Sequence, residues 1–386
     1  MKDSINSNES LQRSNESLNI SKDREKAKEL IQIGKFYYTK LQYNNALDSA
    51  QSSLEISQSI QDKNLEAIAL LSIGWIYQKL EEKDGKYEQM LVAHHQCLDI
   101  AQSINDEWLI ASSSISLGRT YLELKQYDQA INYAQPGLDA AQAISHLSLE
   151  LNALITLRRS YSALGKPVPE AIATITTSGQ SVLAELKINP DDIKANRRHP
   201  HRVQYRAVIN WLTKYRPSTN AQNLEQVRGY LEAFHHLCKA SNWEAASALL
   251  SIHLNTPTVE EFHNQLKTWG HYTEQAELYQ NLLFKLDSAW DTVCLNGLAN
   301  IHTSQGDYET AIALQQQHAD LAAATQDRHS EGYAIGNIGL NYYYLSQYNK
   351  AIDSLQQSID ILHQQGDHRA EQMFQGNLGL AHYGLG

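Results

Sequence analysis

Residues 34–47 read GKFYYTKLQYNNAL, residues 118–131 read GRTYLELKQYDQAI and residues 339–352 read GLNYYYLSQYNKAI. The phrase extends into a register that runs through much of the chain. Gly34, Gly74 and Gly118 lie 40 and 44 residues apart, and Ala299, Gly339 and Gly379 lie 40 apart. Three residues after each small position stands Tyr37, Tyr77, Tyr121, His302, Tyr342 or His382. A second aromatic follows at Tyr43, Tyr87, Tyr127, Tyr308 or Tyr348, and three beyond it comes Ala46, Met90, Ala130, Ala311 or Ala351. The longer spacing carries four extra residues within LEEKDGK, in a turn where added length costs little.

Each mark has a mechanical reason. A small residue lets two helices of a hairpin approach closely, an aromatic one turn later fills the space beside it, and the second alanine marks the facing contact on the next helix. Twelve residues before the small positions stand Asp62, Asp106, Asp287, Asp327 and Asp367, where a carboxylate can cap the free N–H groups of a helix start. Between the marks apolar residues recur at helical spacing, as in Ile352, Leu355, Ile359 and Leu362, and no β-type alternation persists. The expected fold class is all-α.

The phrase resembles the tetratricopeptide repeat (TPR) motif of small residue, aromatic, second aromatic and alanine, in a long variant of about 40 residues like those of bacterial signalling scaffolds. The resemblance implies an α-solenoid of stacked antiparallel hairpins, read here as two arrays joined by an irregular basic segment. The expected divisions are a disordered polar tail over 1–22, an N-terminal array over 23–187 with three clear units and one degenerate, a basic linker or hinge over 188–222, degenerate hairpins over 223–287, and a C-terminal array over 288–386 of two units and a half.

The weaker divisions have their own signals. In 147–187 Arg158 takes the place of the small residue, and Pro167 and Pro169 interrupt the turn. The linker carries Pro190, Pro200 and Pro217, a basic cluster of Lys194, Arg197, Arg198, Arg202 and Arg206, and an amphipathic helix expected from about Val203 to Lys214. In 223–286, Trp243 and Ala246 fit a second-helix register, with Trp269, Tyr272 and Ala276 an off-register echo. Those segments are similar to a region that precedes TPR arrays in large bacterial signalling proteins, some bearing an NTPase or protease-like module. The G-x-x-x-x-G-K-[ST] phosphate loop is absent.

Composition narrows function. With 32 Lys and Arg against 43 Asp and Glu, the formal charge of −11 argues against nucleic acid or anionic lipid as the main partner. Cys97, Cys238 and Cys294 are far apart and form no C-x-x-C, so no disulfide framework or cysteine zinc site is encoded. The N-terminus lacks the apolar core of a secretory signal, and a cytoplasmic location is expected. Adjacent helical residues point about 100° apart, so His94-His95 and His235-His236 do not offer two ligands to one metal. Catalytic residues, metal and cofactor are all read as none. His302 and His382 read as packed substitutes for the tyrosine, and Cys97 as a buried structural thiol.

In TPR proteins the ligand is met by first-helix residues on the face opposite the second helix. The resemblance carries that role to Lys35, Tyr38, Trp75, Lys79, Arg119, Glu123, Asn296, Asn300, Asn337, Asn341 and Tyr343. The three cations could receive carboxylates, and the asparagines could bond both N–H and C=O groups of an extended backbone. The expected function is a non-enzymatic scaffold or sensor arm that binds a protein or peptide partner in the groove. Two alternatives are a receptor for a signal peptide or small ligand that switches by changing superhelix shape, and the non-catalytic portion of a larger NTPase- or protease-linked signalling protein.

Overall fold

The computed structural model describes the backbone of residues 2–84, 87–198, 200–218 and 220–386; the side chains of 2–17 and 81–84 also lie outside the described residues. Among the described residues there are 21 helices and no strand, and the only β-type pairing is a bridge between His253 and Glu261. The chain divides into two compact units, Met1–Ile188 with Asn255–Pro257, and Asn189–Leu254 with Thr258–Gly386.

In the first unit α1 (Lys2–Thr39) pairs with α2 (Tyr43–Ser59), α3 (Lys63–Asp84) with α4 (Tyr87–Ile104) and α5 (Glu107–Glu123) with α6 (Tyr127–Ala143). The tail expected to be disordered has helical backbone from Lys2 onward. It prolongs a helix anchored by the buried Ala27 and Ile31, and each added residue needs only one more hydrogen bond. The insertion within 80–86 falls partly outside the described residues; α3 continues as far as Asp84.

The small positions do what close packing requires. A Cβ at Gly74 would lie 2.3 Å from the ring of the buried His94, and one at Gly118 would meet the Ala130 oxygen at 3.1 Å. The alanines of the second helices, Ala46, Ala130, Ala311 and Ala351, are fully buried. Asp106 caps α5 by accepting from the Leu109 N–H at 2.9 Å, and Asp62 accepts from Leu65 at 3.1 Å. His146, in the same register, takes over the cap of α7 (Leu147–Ala163).

Among the described residues from α1 to α7 the turns within and between hairpins close in one way. Leu41, with φ of 58°, bonds back to the Tyr38 carbonyl while Gln42 bonds to Tyr37, and the same left-handed residue recurs at Gln61, Asn105, Lys125 and Ser145. After α7 the pattern breaks. The second helix expected there is reduced to α8 (Glu170–Ala173) and α9 (Gly179–Glu185), because Pro167 and Pro169 cannot supply helical N–H groups. The shortened partner leaves room for Arg158, whose guanidinium donates to the Asn255 carbonyl and whose burial pulls its pKa down. Glu150, almost wholly buried, accepts from the Ser178 N–H at 2.6 Å and from the hydroxyls of Ser178 and Ser181 at 2.9 and 2.5 Å.

The second unit begins with α10 (Pro190–Ala195) and α11 (Arg202–Lys214). The stretch read as a hinge is folded against its neighbours here: α11 buries Val208 and Leu212 and packs on α13 (Arg228–Lys239), which follows the short α12 (Asn223–Gln226). Next come α14 (Trp243–Leu250), α15 (Phe262–Thr268) and α16 (Tyr272–Leu282). The clear repeats follow as α17 (Ser288–Gln305) with α18 (Tyr308–Ala324), α19 (Arg328–Tyr344) with α20 (Tyr348–Gln364), and α21 (His368–Leu385). Asp287, Asp327 and Asp367 cap α17, α19 and α21. In each unit the first helices of successive hairpins pack on one another more closely than the second helices do, so the first helices form the inner face. On α21, His382 is exposed and not a packed substitute, because no second helix lies over it among the described residues.

Candidate functional site

The inner face of the second unit holds a pocket of about 380 Å³, lined from four directions. Glu261 and Ser251 come from loop ends, His263 and Lys267 from α15, Gln275 and Tyr279 from α16, and Trp290, Asn296 and Asn300 from α17. Gly297 makes the wall thin. A Cβ there would sit 2.2 Å from Tyr279 Cε2, so the bare backbone of α17 lets the α16 tyrosine lie flush beneath it.

The floor is a directional chain of hydrogen bonds. His263 Nε2 lies 2.8 Å from Glu261 Oε2 and donates to it, which leaves Nδ1 to accept from the Tyr279 hydroxyl at 2.7 Å. Gln275 Nε2 donates to the Tyr279 oxygen at 3.1 Å and to the His263 carbonyl at 2.8 Å. Burial holds the His263 imidazole below its ordinary pKa, against the pull of Glu261, and the same burial pushes the Tyr279 phenol up. Gln275 Oε1 ends the chain. It belongs to a residue 2% exposed and has no hydrogen-bond partner among the described residues, although an orphaned buried acceptor costs about 1–3 kcal/mol.

Above the floor runs a column of amides. Asn296 Oδ1 accepts from Gln315 Nε2 at 3.1 Å, from Asn300 Nδ2 at 3.4 Å and from Asn337 Nδ2 at 3.5 Å. Asn296 and Asn300 thus line the pocket, and Asn337 reaches them from α19. Asn341 does not share the opening: it is 2% exposed, with its Nδ2 donating to the Asn337 carbonyl and its Oδ1 accepting from Thr303. Its amide is spent joining α17 to α19, since a small polar residue at a helix contact must bond locally. Tyr343 lies half-buried against the core around Leu355 and Phe374.

The first-unit residues occupy different ground. Lys35, Lys79, Arg119 and Glu123 are exposed, and none of the three cations makes an ion pair among the described residues. Tyr38 meets Tyr43 edge-on at 5.6 Å; burial raises its pKa, Tyr43 adds to the shift and Arg119 opposes it, which puts the guanidinium within electrostatic range of the phenol. Trp75 donates from Nε1 to Ser116 Oγ at 3.1 Å and so ties α3 to α5. Lys79 borders a recess of about 430 Å³ with Gln42, Asn44 and Asn45, at the turn end of the hairpins.

Other sequence candidates resolve into packing. His94 is buried, with its pKa pushed down to about 3 by burial first and by His95 second. His95 bonds Tyr121 at 3.1 Å and meets Tyr133 edge-on. Burial pushes the Cys97 and Cys294 thiols up to about 12. Sequence reasoning missed Glu261, His263, Gln275 and Tyr279, which stand in the off-register stretch; the i, i+4 placing of Gln275 and Tyr279 is the one signal that pointed inward.

Family models described as tetratricopeptide repeat match residues 291–364 and 111–143. The chain carries tetratricopeptide repeats. Its two matched stretches cover α17 to α20 and most of α5 and α6, and the array is built as a protein–protein interaction scaffold. Curated proteins yield no significant match. Among solved structures, the apo form of RapI is 17% identical, with 68% of this chain and 83% of that one covered at a TM-score of 0.35. The TPR2AB domain of yeast Sti1 in complex with an Hsp90 peptide is 12% identical, covering 92% and 98% at 0.29. A STAND signal-transduction ATPase with a TPR sensor from Pyrococcus horikoshii is 11% identical, covering 89% of this chain and 52% of that one at 0.33. Among the described residues no helix is long and apolar enough to cross a membrane.

Proposed function

We propose that the TPR array is a non-enzymatic scaffold or sensor arm of a bacterial, cytoplasmic signalling system, and that it holds an extended segment of a protein partner against the inner face of the second unit. The observation that carries this reading is the meeting, in one pocket, of Asn296 and Asn300 with a buried acceptor, Gln275 Oε1, that has no hydrogen-bond partner among the described residues. A peptide backbone offers alternating N–H and C=O groups, and primary amides answer both. In the first unit Lys35, Lys79 and Arg119 add exposed positive charge suited to an acidic stretch of partner. The non-enzymatic part rests on the pocket's ionisable groups. His263 spends both ring nitrogens, on Glu261 and on the Tyr279 hydroxyl, and burial holds the Tyr279 phenol protonated, so neither is poised as a nucleophile near neutral pH.

The test compares two variants of the full chain as bait for partners in lysate of its own cells. Asn296→Ala with Asn300→Ala removes the amide wall, and reversing Lys35, Lys79 and Arg119 to glutamate removes the cations. Loss of a specific partner in the first variant, with melting unchanged, supports the reading; retention in both overturns it. A second reading has one observation in its favour: about 380 Å³ is the size of a small-ligand site. Native mass spectrometry of the protein purified from its own cells separates the two, since a retained low-mass species lost on Gln275→Leu supports a ligand receptor.

A further inference from the structure

We propose that His363, His368 and Glu371 form a surface site for a transition-metal dication, with Zn²⁺ the best match. The three residues flank the turn from α20 to α21: His363 in the last turn of one helix, His368 at the first position of the next, and Glu371 one turn further on. Each imidazole Nδ1 stands 3.2 Å from the same carboxylate oxygen, Glu371 Oε2, and the three donor atoms all lie within 4.8 Å of one another. Two ligands bound to tetrahedral zinc at 2.0–2.1 Å are about 3.3 Å apart, so the two 3.2 Å spacings are those of a coordination edge, and the imidazoles need only a small side-chain rotation to complete the third.

The frame is fixed by bonds that do not involve the three donor atoms. Gly366, with φ of 72°, closes the turn, and Asp367 accepts from the Ala370 N–H at 3.0 Å, from His329 Nε2 at 2.9 Å and from the Tyr333 hydroxyl at 3.2 Å. Gln375 Nε2 donates to Glu371 Oε1 at 3.0 Å and aims the other oxygen at the imidazoles, as an outer-shell partner does in a metal site. The imidazole side chains are 68% and 73% exposed, so each Nε2–H can face water while Nδ1 takes the metal, and water can fill the fourth position. Two nitrogen donors and one oxygen select zinc and its neighbours over Mg²⁺ and Ca²⁺, which need mostly oxygen.

A metal motif on a single helix needs histidines at i, i+3 or i+4, a spacing that His363 and His368 do not have. Here the left-handed turn brings together residues five apart from two different helices.

The test titrates the full chain with Zn²⁺ alone, read by calorimetry and by competition with a colorimetric chelator. Near-stoichiometric saturable binding of one ion per chain is expected. Glu371→Gln should weaken it by about tenfold or more, and His363→Ala with His368→Ala should abolish it, while the exposed His382→Ala leaves it unchanged. Circular dichroism of each variant checks that the helices persist. Cobalt(II) gives a second readout: an intense tetrahedral visible band is expected, and it should disappear in the double histidine variant. No saturable site in the parent chain, or unaltered binding in that variant, overturns the proposal.

Discussion

Gly339→Ala and Gly379→Ala are the same substitution at the same register position of successive repeats, 40 residues apart in one unit, and they are expected to move stability in opposite directions. Both sit inside helices, where alanine is favoured over glycine by about 1 kcal/mol. At Gly379 no atom lies within 4 Å of the added Cβ, so that gain is expected almost undiminished. At Gly339 the Cβ would stand 2.7 Å from Leu355 Cγ, 3.1 Å from the Leu355 nitrogen and 3.2 Å from the Ala351 oxygen. Leu355 is fully buried, and the other two obstacles are backbone, so the helices must part by several tenths of an ångström. Overpacking of this kind costs about 1–3 kcal/mol, and with two backbone atoms in the way the upper part of that range applies, which outweighs the propensity gain and leaves a net loss of up to about 2 kcal/mol. Urea denaturation of the full chain, followed by circular dichroism, reads both. If Gly339→Ala stabilises as much as Gly379→Ala, the close-packing explanation of the repeat's small position is wrong.

Further outcomes follow from single contacts. Asp327→Ala should cost about 1 kcal/mol, because its carboxylate caps α19 through the Ser330 N–H; denaturation midpoints check it. That hydrogen bond holds the Asp327 carboxyl below its ordinary pKa. Its contribution is therefore present above the ordinary carboxyl range and lost as pH falls through the depressed value, and an acid titration of stability should be flatter in the variant. His94 works through an imidazole held down at about 3. The unfolded chain binds the extra proton, so wild-type stability should decline from about pH 6.5 downward, while a His94→Leu variant loses that part of the dependence; a pH-independent gap between their melting curves would contradict the assignment. Leu41→Gly should stabilise by about 0.5–1 kcal/mol, because an exposed leucine holds φ at 58°; a lower melting temperature would count against it.

The parts legible in the sequence are those set by local geometry. A cap needs an oxygen at a fixed offset from a helix start, so five aspartates in one register could be read directly, and His146 escaped only because an imidazole does the same work. The left-handed turn residues were invisible, since Leu41, Gln61 and Lys125 are not turn formers and adopt φ above 50° under the demands of the hairpin. Packing across repeats was less legible still. Asn300 follows the small residue of its repeat by one and Asn341 by two, so their side chains point about 100° apart: Asn341 is consumed by Thr303 and Asn300 opens on the pocket. The floor of the pocket comes from α15 and α16, where the repeat phrase fades, and only the folded chain shows His263, Tyr279 and Gln275 linked in one network.

The claim that partners are held at this pocket is tested most directly by a photoreactive benzophenone amino acid at Val293, an exposed residue on its rim, in the chain expressed in its own cells. The same probe at Val203, exposed on α11 and not among the pocket-lining residues, serves as control. A discrete protein adduct at position 293, absent at 203 and lost when Asn296→Ala and Asn300→Ala are added, is the expected result. No adduct at 293, or one that survives removal of both amides, would contradict the assignment.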